Sequence, residues 1–174
     1  LPYFKRMETF SGGANAFRGD SGPLNVTVPE ISHPLNRAFV EACVQAGYNV
    51  SSDTNGLQNE GIGSMDMTIH GGRRVNTSRA YLRPIIHRTN LTVLTGCFIT
   101  RVLFEGQRAV GVEYRKGGQM LIARAEQEVV LSAGAINSPR LLMLSGVGDA
   151  KKLRELDIDV VVDRPGVGQN LQDH

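Results

Sequence analysis

Small residues that directly follow a short apolar run are the feature of this sequence with the clearest chemical meaning. Residues 129–131, Val-Val-Leu, have the composition of a strand covered on both faces of a parallel sheet, and a helix is predicted from about residue 138 to 144. Ligands of α/β sheets lie beyond the carboxyl ends of such strands, where residues as small as Ala133 and Gly134 let the backbone approach a cofactor. The pattern predicts a cofactor-binding edge, although ordinary tight packing has the same composition.

Two glycine pairs resemble the start of the dinucleotide fingerprint G-x-G-x-x-G. They lie at residues 146–148 and 166–168, but the third glycine is replaced by Lys151 in one and by Leu171 in the other. The first pair also follows a predicted helix, where the motif requires a strand. The sequence therefore predicts no complete pyrophosphate-binding loop of its own.

The side chains that most often act as catalysts or metal ligands show no clustering. Three histidines, His33, His70 and His87, fall in predicted turns or at helix ends and are interpreted as solvent-facing or capping residues. Cys43 and Cys97 form no C-x-x-C pair and are predicted to be reduced, largely buried thiols. These patterns predict no metal site.

Composition indicates a globular protein and argues against several partners. The chain has 174 residues, of which 41% are hydrophobic, and its net charge of +2 comes from 19 basic and 17 acidic residues without a run of one sign. Nucleic acid is therefore not an expected partner. No apolar stretch reaches the roughly 18 residues of a membrane-spanning helix, so no transmembrane segment is expected.

The two ends and the sequons bear on processing. The chain starts at Leu1 without an initiator Met or a signal-like pattern and stops just after a glycine-rich turn, so both ends are expected to be cut. Four N-x-S/T sequons would fit secretion, but Asn, Ser and Thr also mark ordinary turns. A cytoplasmic location, or a peripheral one at an inner membrane, is favoured over secretion.

Periodicity and glycine positions predict the elements that must carry these residues. A half-buried strand is expected at residues 24–28, an amphipathic helix at 34–47, a loop at 49–63, a glycine hairpin at 65–74 and a short helix at 78–82. Four strand-like runs at 91–95, 98–104, 109–114 and 120–125 are separated by short glycine connections, which predict an antiparallel meander.

The run at residues 134–148, GAINSPRLLMLSGVG, resembles the second signature of the glucose-methanol-choline (GMC) flavoprotein oxidoreductases at every defined position. The resemblance continues through 165–174, 93–96, 101–104, 109–113, 53–56, 65–69 and 80–82, and so covers essentially the whole chain. Within the family, residues 65–70 are most similar to the choline-oxidising members.

This resemblance implies a mixed α/β fold, namely part of an FAD/NAD(P)-binding Rossmann-like domain with a β-meander, plus part of a substrate-binding segment. Residues 1–22 would be the tail of an FAD-domain helix and loop, 23–66 a substrate-domain segment, and 67–174 a segment of the FAD-binding domain.

The resemblance also implies site residues. Ala133 and Gly134 would lie beside FAD, and the backbone of Ile99 would lie against its adenine end. His174 matches a position that lines the substrate pocket two residues before a carboxylate that holds a trimethylammonium group. The family's catalytic histidine near the C-terminus has no counterpart here, so no catalytic residue is expected within the chain.

The implied reaction is oxidation of an alcohol by hydride transfer to FAD, with choline as the favoured substrate and betaine aldehyde as its product. A quinone or oxygen would accept the electrons. Other GMC alcohol or sugar dehydrogenases or oxidases, and a non-catalytic module derived from a flavoprotein, stay open as alternatives. The 174 residues alone are expected to be inactive and marginally stable.

Overall fold

The chain has a mixed α/β fold, and the computed structural model describes residues 1–173. It divides into two compact units, Leu1–Val93 and a second unit that begins at Leu94. In the described part of the chain, no helix is both long and apolar enough to cross a bilayer.

The first unit contains short strands and one longer helix. Its elements are α1 (Pro2–Met7), β1 (Glu8–Phe10), β2 (Leu24–Val26), α2 (Pro34–Gln45), β3 (Ile69–His70) and β4 (Arg73–Arg74), followed by a π-helical turn (Ser78–Leu82) and a 3-10 turn (Arg83–Ile85). β1 pairs with β2 in parallel, and β3 pairs with β4 antiparallel. Phe10, Val26, Val75 and Ala80 form its small apolar core.

The predicted elements of this unit are present. The helix predicted at 34–47 is α2, its start is capped by the Nδ1 of His33, which accepts from Leu35 N–H at 3.2 Å, and Gly47 follows it with a φ of +93°. Gly71 and Gly72, with φ of +55° and +70°, make the β3–β4 hairpin turn. The short helix at 78–82 is a π-helical turn that ends before Pro84 but runs into the 3-10 turn.

The apolar face of α2 is largely uncovered. Leu35 is 73% and Phe39 61% exposed, and no residue of the helix is buried. Local periodicity therefore predicts the helix correctly, but no described residue of its apolar face is fully buried within this unit.

The second unit is an antiparallel meander with a helix packed on it. Its elements are β5 (Phe98–Glu105), β6 (Arg108–Lys116), β7 (Gln119–Arg124), α3 (Gly134–Leu144), β8 (Val147–Gly148), α4 (Ala150–Glu155) and β9 (Val162–Asp163). The meander has the order β5-β6-β7, and β8 pairs in parallel with β9. Val102, Leu141 and Leu153 are its most deeply buried aliphatic side chains.

Two strand predictions, one across the boundary of the units and one in the second unit, are wrong. Neither residues 91–95 nor residues 129–131 form a strand, and Val130 is 74% exposed. A strand covered on both faces needs hydrogen-bonding neighbours and packed layers, and no described strand pairs with either segment. Apolar composition alone therefore does not decide whether these segments are sheet. The following helix, α3, begins at Gly134, earlier than predicted.

Candidate functional site

The start of α3 is open and exposes backbone donors. Ala133 is its N-cap residue without a side-chain cap, and Gly134 has a φ of +88°. Both residues are exposed, and a Cβ added at Gly134 would meet no atom within 4 Å. Because the first N–H groups of a helix have no intrahelical acceptor, this surface can bind an acceptor atom of a closely approaching group.

A hydrogen bond between the turn before α3 and the helix itself holds the start of this helix. The backbone N–H of Ala133 donates to the Oγ of Ser138 at 3.0 Å. One of the donors at the turn is therefore already paired, and the side chain of Ser138 fixes the turn that leads into α3.

Ile99 lies near the start of β5, where the strand is irregular. It is half-buried and pairs with Tyr114, and the register with β6 shifts between Ile99 and Arg101. Such a bulge bends the strand and increases its local twist.

Glu113 on β6 ties this bulge in place. The Oγ1 of Thr100 donates to its Oε1 at 2.7 Å, and Nη2 of Arg101 donates to its Oε2 at 3.0 Å. The hydrogen bond from Thr100, followed by that from Arg101, holds the pKa of the Glu113 carboxyl below its ordinary value. The ionised carboxylate therefore supports the local geometry beside Ile99.

The structure brings the helix that begins at Gly134 against the strand that carries Ile99. The Oγ of Ser145, just after α3, accepts from the N–H of Val102 in β5 at 2.8 Å. At the start of the strand, the guanidinium of Arg140 in α3 lies 5.8 Å from the ring centroid of Phe98. The predicted cofactor residues thus belong to two elements that pack together in one unit. The remaining predicted site residue, His174, lies outside the described residues.

A buried arginine in the first unit is absent from the residues predicted to matter. Arg18 is 2% exposed and pairs with Glu8 at 3.1 Å, Asp53 at 2.9 Å and Asp66 at 2.7 Å. Its guanidinium also lies 3.7 Å from the ring centroid of Phe10. The partners are 10, 35 and 48 residues away, so no local pattern in the sequence could have revealed them.

The charges around Arg18 keep it protonated. Burial by itself lowers the pKa of the guanidinium, but the hydrogen bond and charge of Asp66 and the charges of Glu8 and Asp53 outweigh it, so that the pKa is raised. The cluster connects the β1–β2 region with the loop from Asp53 to Asp66. Its role here is to hold that loop.

Known sequences resemble the chain over its full length. The family model for GMC oxidoreductase matches residues 1–174. Mitochondrial choline dehydrogenases from Mus musculus and Homo sapiens are each 56% identical over 174 residues, which is 100% of this chain and 29% of theirs. An oxygen-dependent choline dehydrogenase from Brucella ovis is 52% identical over the same residues, which are 32% of its length.

Solved structures of related proteins resemble the fold. An FAD-dependent oxidoreductase from Chaetomium thermophilum has a TM-score of 0.92 and 32% identity, covering 99% of this chain and 32% of its own. Pyridoxine 4-oxidase from Mesorbium loti has a TM-score of 0.85 and 34% identity, covering 95% of this chain and 33% of its own. The chain spans about a third of the length of these relatives. With a family model matching every residue, this chain belongs to the GMC oxidoreductase family.

Proposed function

We propose that this chain is part of the FAD-binding region of an oxidoreductase that oxidises the CH–OH group of choline. The observation that carries the proposal is the identity of 52% to 56% with proteins named choline dehydrogenase over every residue of the chain. Two solved relatives, the FAD-dependent oxidoreductase from Chaetomium thermophilum and pyridoxine 4-oxidase, are 32% and 34% identical. Similarity to the choline dehydrogenases therefore favours choline over the other alcohols considered above.

The domain organisation is proposed on the same similarity. Residues 1–22 would contribute the end of an FAD-domain helix and loop, 23–66 a part of the substrate-binding domain, and 67–174 a further part of the FAD domain. Along the chain, the boundary between the two compact units lies between Val93 and Leu94, so the proposed FAD segment would include residues of both units.

The residues at the start of α3 fit a flat, polar cofactor edge. Ala133 and Gly134 are exposed, and among the described residues no atom lies within 4 Å of a Cβ added at Gly134. The N–H groups in the first turn of α3 have no intrahelical acceptor. Ile99 would offer its backbone to the adenine end from the irregular start of β5. Bound FAD would supply the acceptor for a hydride.

Oxidation of the alcohol removes a hydride and a proton from it. The hydride leaves the α-carbon with its electron pair, and the hydroxyl proton must be taken by a base as the C=O bond forms. No residue of this chain is proposed as that base. His174 is proposed to line the substrate pocket, on the resemblance of residues 165–174 to the family alone.

The electron acceptor is proposed to be oxygen or a quinone. The Brucella ovis relative carries the name oxygen-dependent choline dehydrogenase. Oxygen consumption and quinone reduction, measured side by side with reduced enzyme, would distinguish the two acceptors.

Anaerobic reduction of the natural protein that contains this chain tests the proposal. We expect flavin absorbance at about 450 nm that bleaches on addition of choline. The neutral isostere 3,3-dimethylbutan-1-ol serves as the matched control and should have a much lower kcat/KM, because it lacks the quaternary charge. Absence of bound flavin, or equal rates with both alcohols, would contradict the proposal.

A further inference from the structure

The hydroxyl group of Ser145 links the two elements that carry the proposed FAD contacts. Ser145 directly follows α3 and is 7% exposed. Its Oγ accepts from the N–H of Val102 in β5 at 2.8 Å and donates to the backbone oxygen of Leu141 in α3 at 2.6 Å. One buried hydroxyl thus joins strand and helix.

The strand side of this link depends on the hydroxyl. β5 is an edge strand of the meander, with β6 on one side only, and Val102 is 5% exposed. Its N–H is therefore far from water, and removal of the Ser145 hydroxyl would leave a buried donor unpaired. The strand and the helix end would then have to move apart or let water in.

Movement at the C-terminal end of α3 would also displace its start, where Ala133 and Gly134 form the proposed cofactor edge. The 11 residues of α3 separate Ser145 from Ala133, a distance of about 18 Å at the rise of an α-helix. Pro139 removes one backbone hydrogen bond inside α3, but the helix is continuous from Gly134 to Leu144. The Oγ of Ser138 also accepts from the N–H of Ala133, so a change at the C-terminal end of α3 is passed to Ala133 and Gly134 and changes where they lie relative to Ile99. A further contact between α3 and β5, that of Arg140 with Phe98, is exposed and weaker.

We propose that Ser145 is a positioning residue for FAD: its two hydrogen bonds fix α3 on β5 and so set the spacing between the start of α3 and Ile99. The inference rests on the proposed function. Ser145 acts through the helix and need not touch the cofactor.

The experiment uses the natural protein that contains this chain, with the variants Ser145→Ala, Ser145→Thr and Leu153→Ala. Leu153 is 2% exposed in α4 and lines a cavity with Met143 and Leu144 of α3. Its truncation therefore destabilises the unit and loosens the packing of α3, while both hydrogen bonds of Ser145 stay in place. The readouts are the FAD dissociation constant, the visible circular dichroism of bound flavin, and the thermal midpoint of the apoprotein.

We expect Ser145→Ala to raise the FAD dissociation constant about tenfold and to change the flavin spectrum, and Ser145→Thr to restore most of both. Leu153→Ala should lower the thermal midpoint at least as much as Ser145→Ala while leaving FAD affinity within about twofold. If Ser145→Ala prevents folding, Ser145→Cys, which keeps a weak acceptor, should have an intermediate effect on FAD affinity.

The inference is overturned if Ser145→Ala has unchanged FAD affinity and an unchanged flavin spectrum, even where its stability falls. If the alanine variant is unfolded, the same result in Ser145→Cys overturns it. Equal loss of FAD affinity in Leu153→Ala would also overturn it, because any destabilisation of the unit would then suffice. If the wild-type protein does not bind FAD, the proposed function fails together with the inference. If the wild type binds FAD and only the variants disagree with expectation, the positioning role of Ser145 fails and the proposed function stands.

Discussion

At the scale of single residues, Arg18 is the side chain whose importance is least visible in the sequence. Its partners Asp53 and Asp66 lie in a predicted loop and near the start of a predicted hairpin, and the pairing arises because this segment returns to β1 and β2. The cap formed by His33 and the left-handed Gly47 are local, and both agree with the sequence. Local rules thus predict caps and turns, while long-range ion pairs require the folded loop.

Arg18→Ala is expected to destabilise the chain strongly. It would leave three carboxylates around a vacated, buried position, and breaking a buried ion pair costs about 3–5 kcal/mol. Urea unfolding of the natural protein that contains this chain would measure the loss, because the isolated 174 residues are expected to be marginally stable. Arg37→Ala is the matched control, since Arg37 donates to the backbone oxygen of Ser32 at the exposed surface, and its effect should stay within about 0.5 kcal/mol. Similar effects of both substitutions would contradict the role of the cluster.

Glu113 is expected to make stability depend on acid pH. Its pKa is lower in the folded chain than the ordinary value of 4.5, so its contribution is complete above that value and is lost as the pH falls through the folded pKa. In Glu113→Gln the contribution is absent at every pH. The difference in unfolding free energy between wild type and Glu113→Gln should therefore shrink as the pH falls below 4.5, as measured by urea unfolding over a pH series. A constant difference would show that the hydrogen bonds to Thr100 and Arg101 do not matter.

At the scale of elements, periodicity and turn residues predict most of the structure. The meander β5-β6-β7 and the hairpin β3–β4 lie where expected, because short connections make their partners adjacent in sequence. The helix α2 also lies where expected, because its periodicity and its end signals are local. Residues 91–95 and 129–131 are different. A strand at these places needs partners that are not adjacent in sequence, and none of the described strands supplies them.

The exposed face of α2 leads to a further prediction. Phe39 is 61% exposed, so Phe39→Gln should change the unfolding free energy of the 174-residue chain by no more than about 0.5 kcal/mol. Leu153→Ala, at a position that is 2% exposed, should cost about 2–5 kcal/mol. Chemical denaturation of both variants provides the measurement. A large loss in Phe39→Gln would mean that the face is packed in solution.

At the scale of the whole chain, many large apolar side chains are exposed, including Leu57 at 83%, Met65 at 78% and Val130 at 74%. Burial of apolar surface is the main stabilising contribution to folding. The isolated 174 residues are therefore expected to unfold at low urea concentration and to bind the dye ANS before unfolding. A cooperative transition at high urea without ANS binding would contradict this expectation.

Over the whole chain, the family resemblance distinguishes between a cofactor edge and ordinary packing, which the residue patterns alone do not. Composition and spacing predict a cofactor edge but also fit ordinary packing, whereas the signature at 134–148 indicates the family that the comparisons then show. The placement of FAD along Ala133 and Gly134 is the central proposal that follows.

The FAD dissociation constant of Gly134→Ala, compared with that of Gly118→Ala, tests this placement most directly. Both glycines have similar φ, +88° and +82°, and open space around an added Cβ, but Gly118 lies in the turn between β6 and β7. Both variants therefore carry a similar backbone strain. We predict that Gly134→Ala in the natural protein weakens FAD binding about tenfold while Gly118→Ala leaves it unchanged. Equal FAD affinity in the two variants would contradict the account.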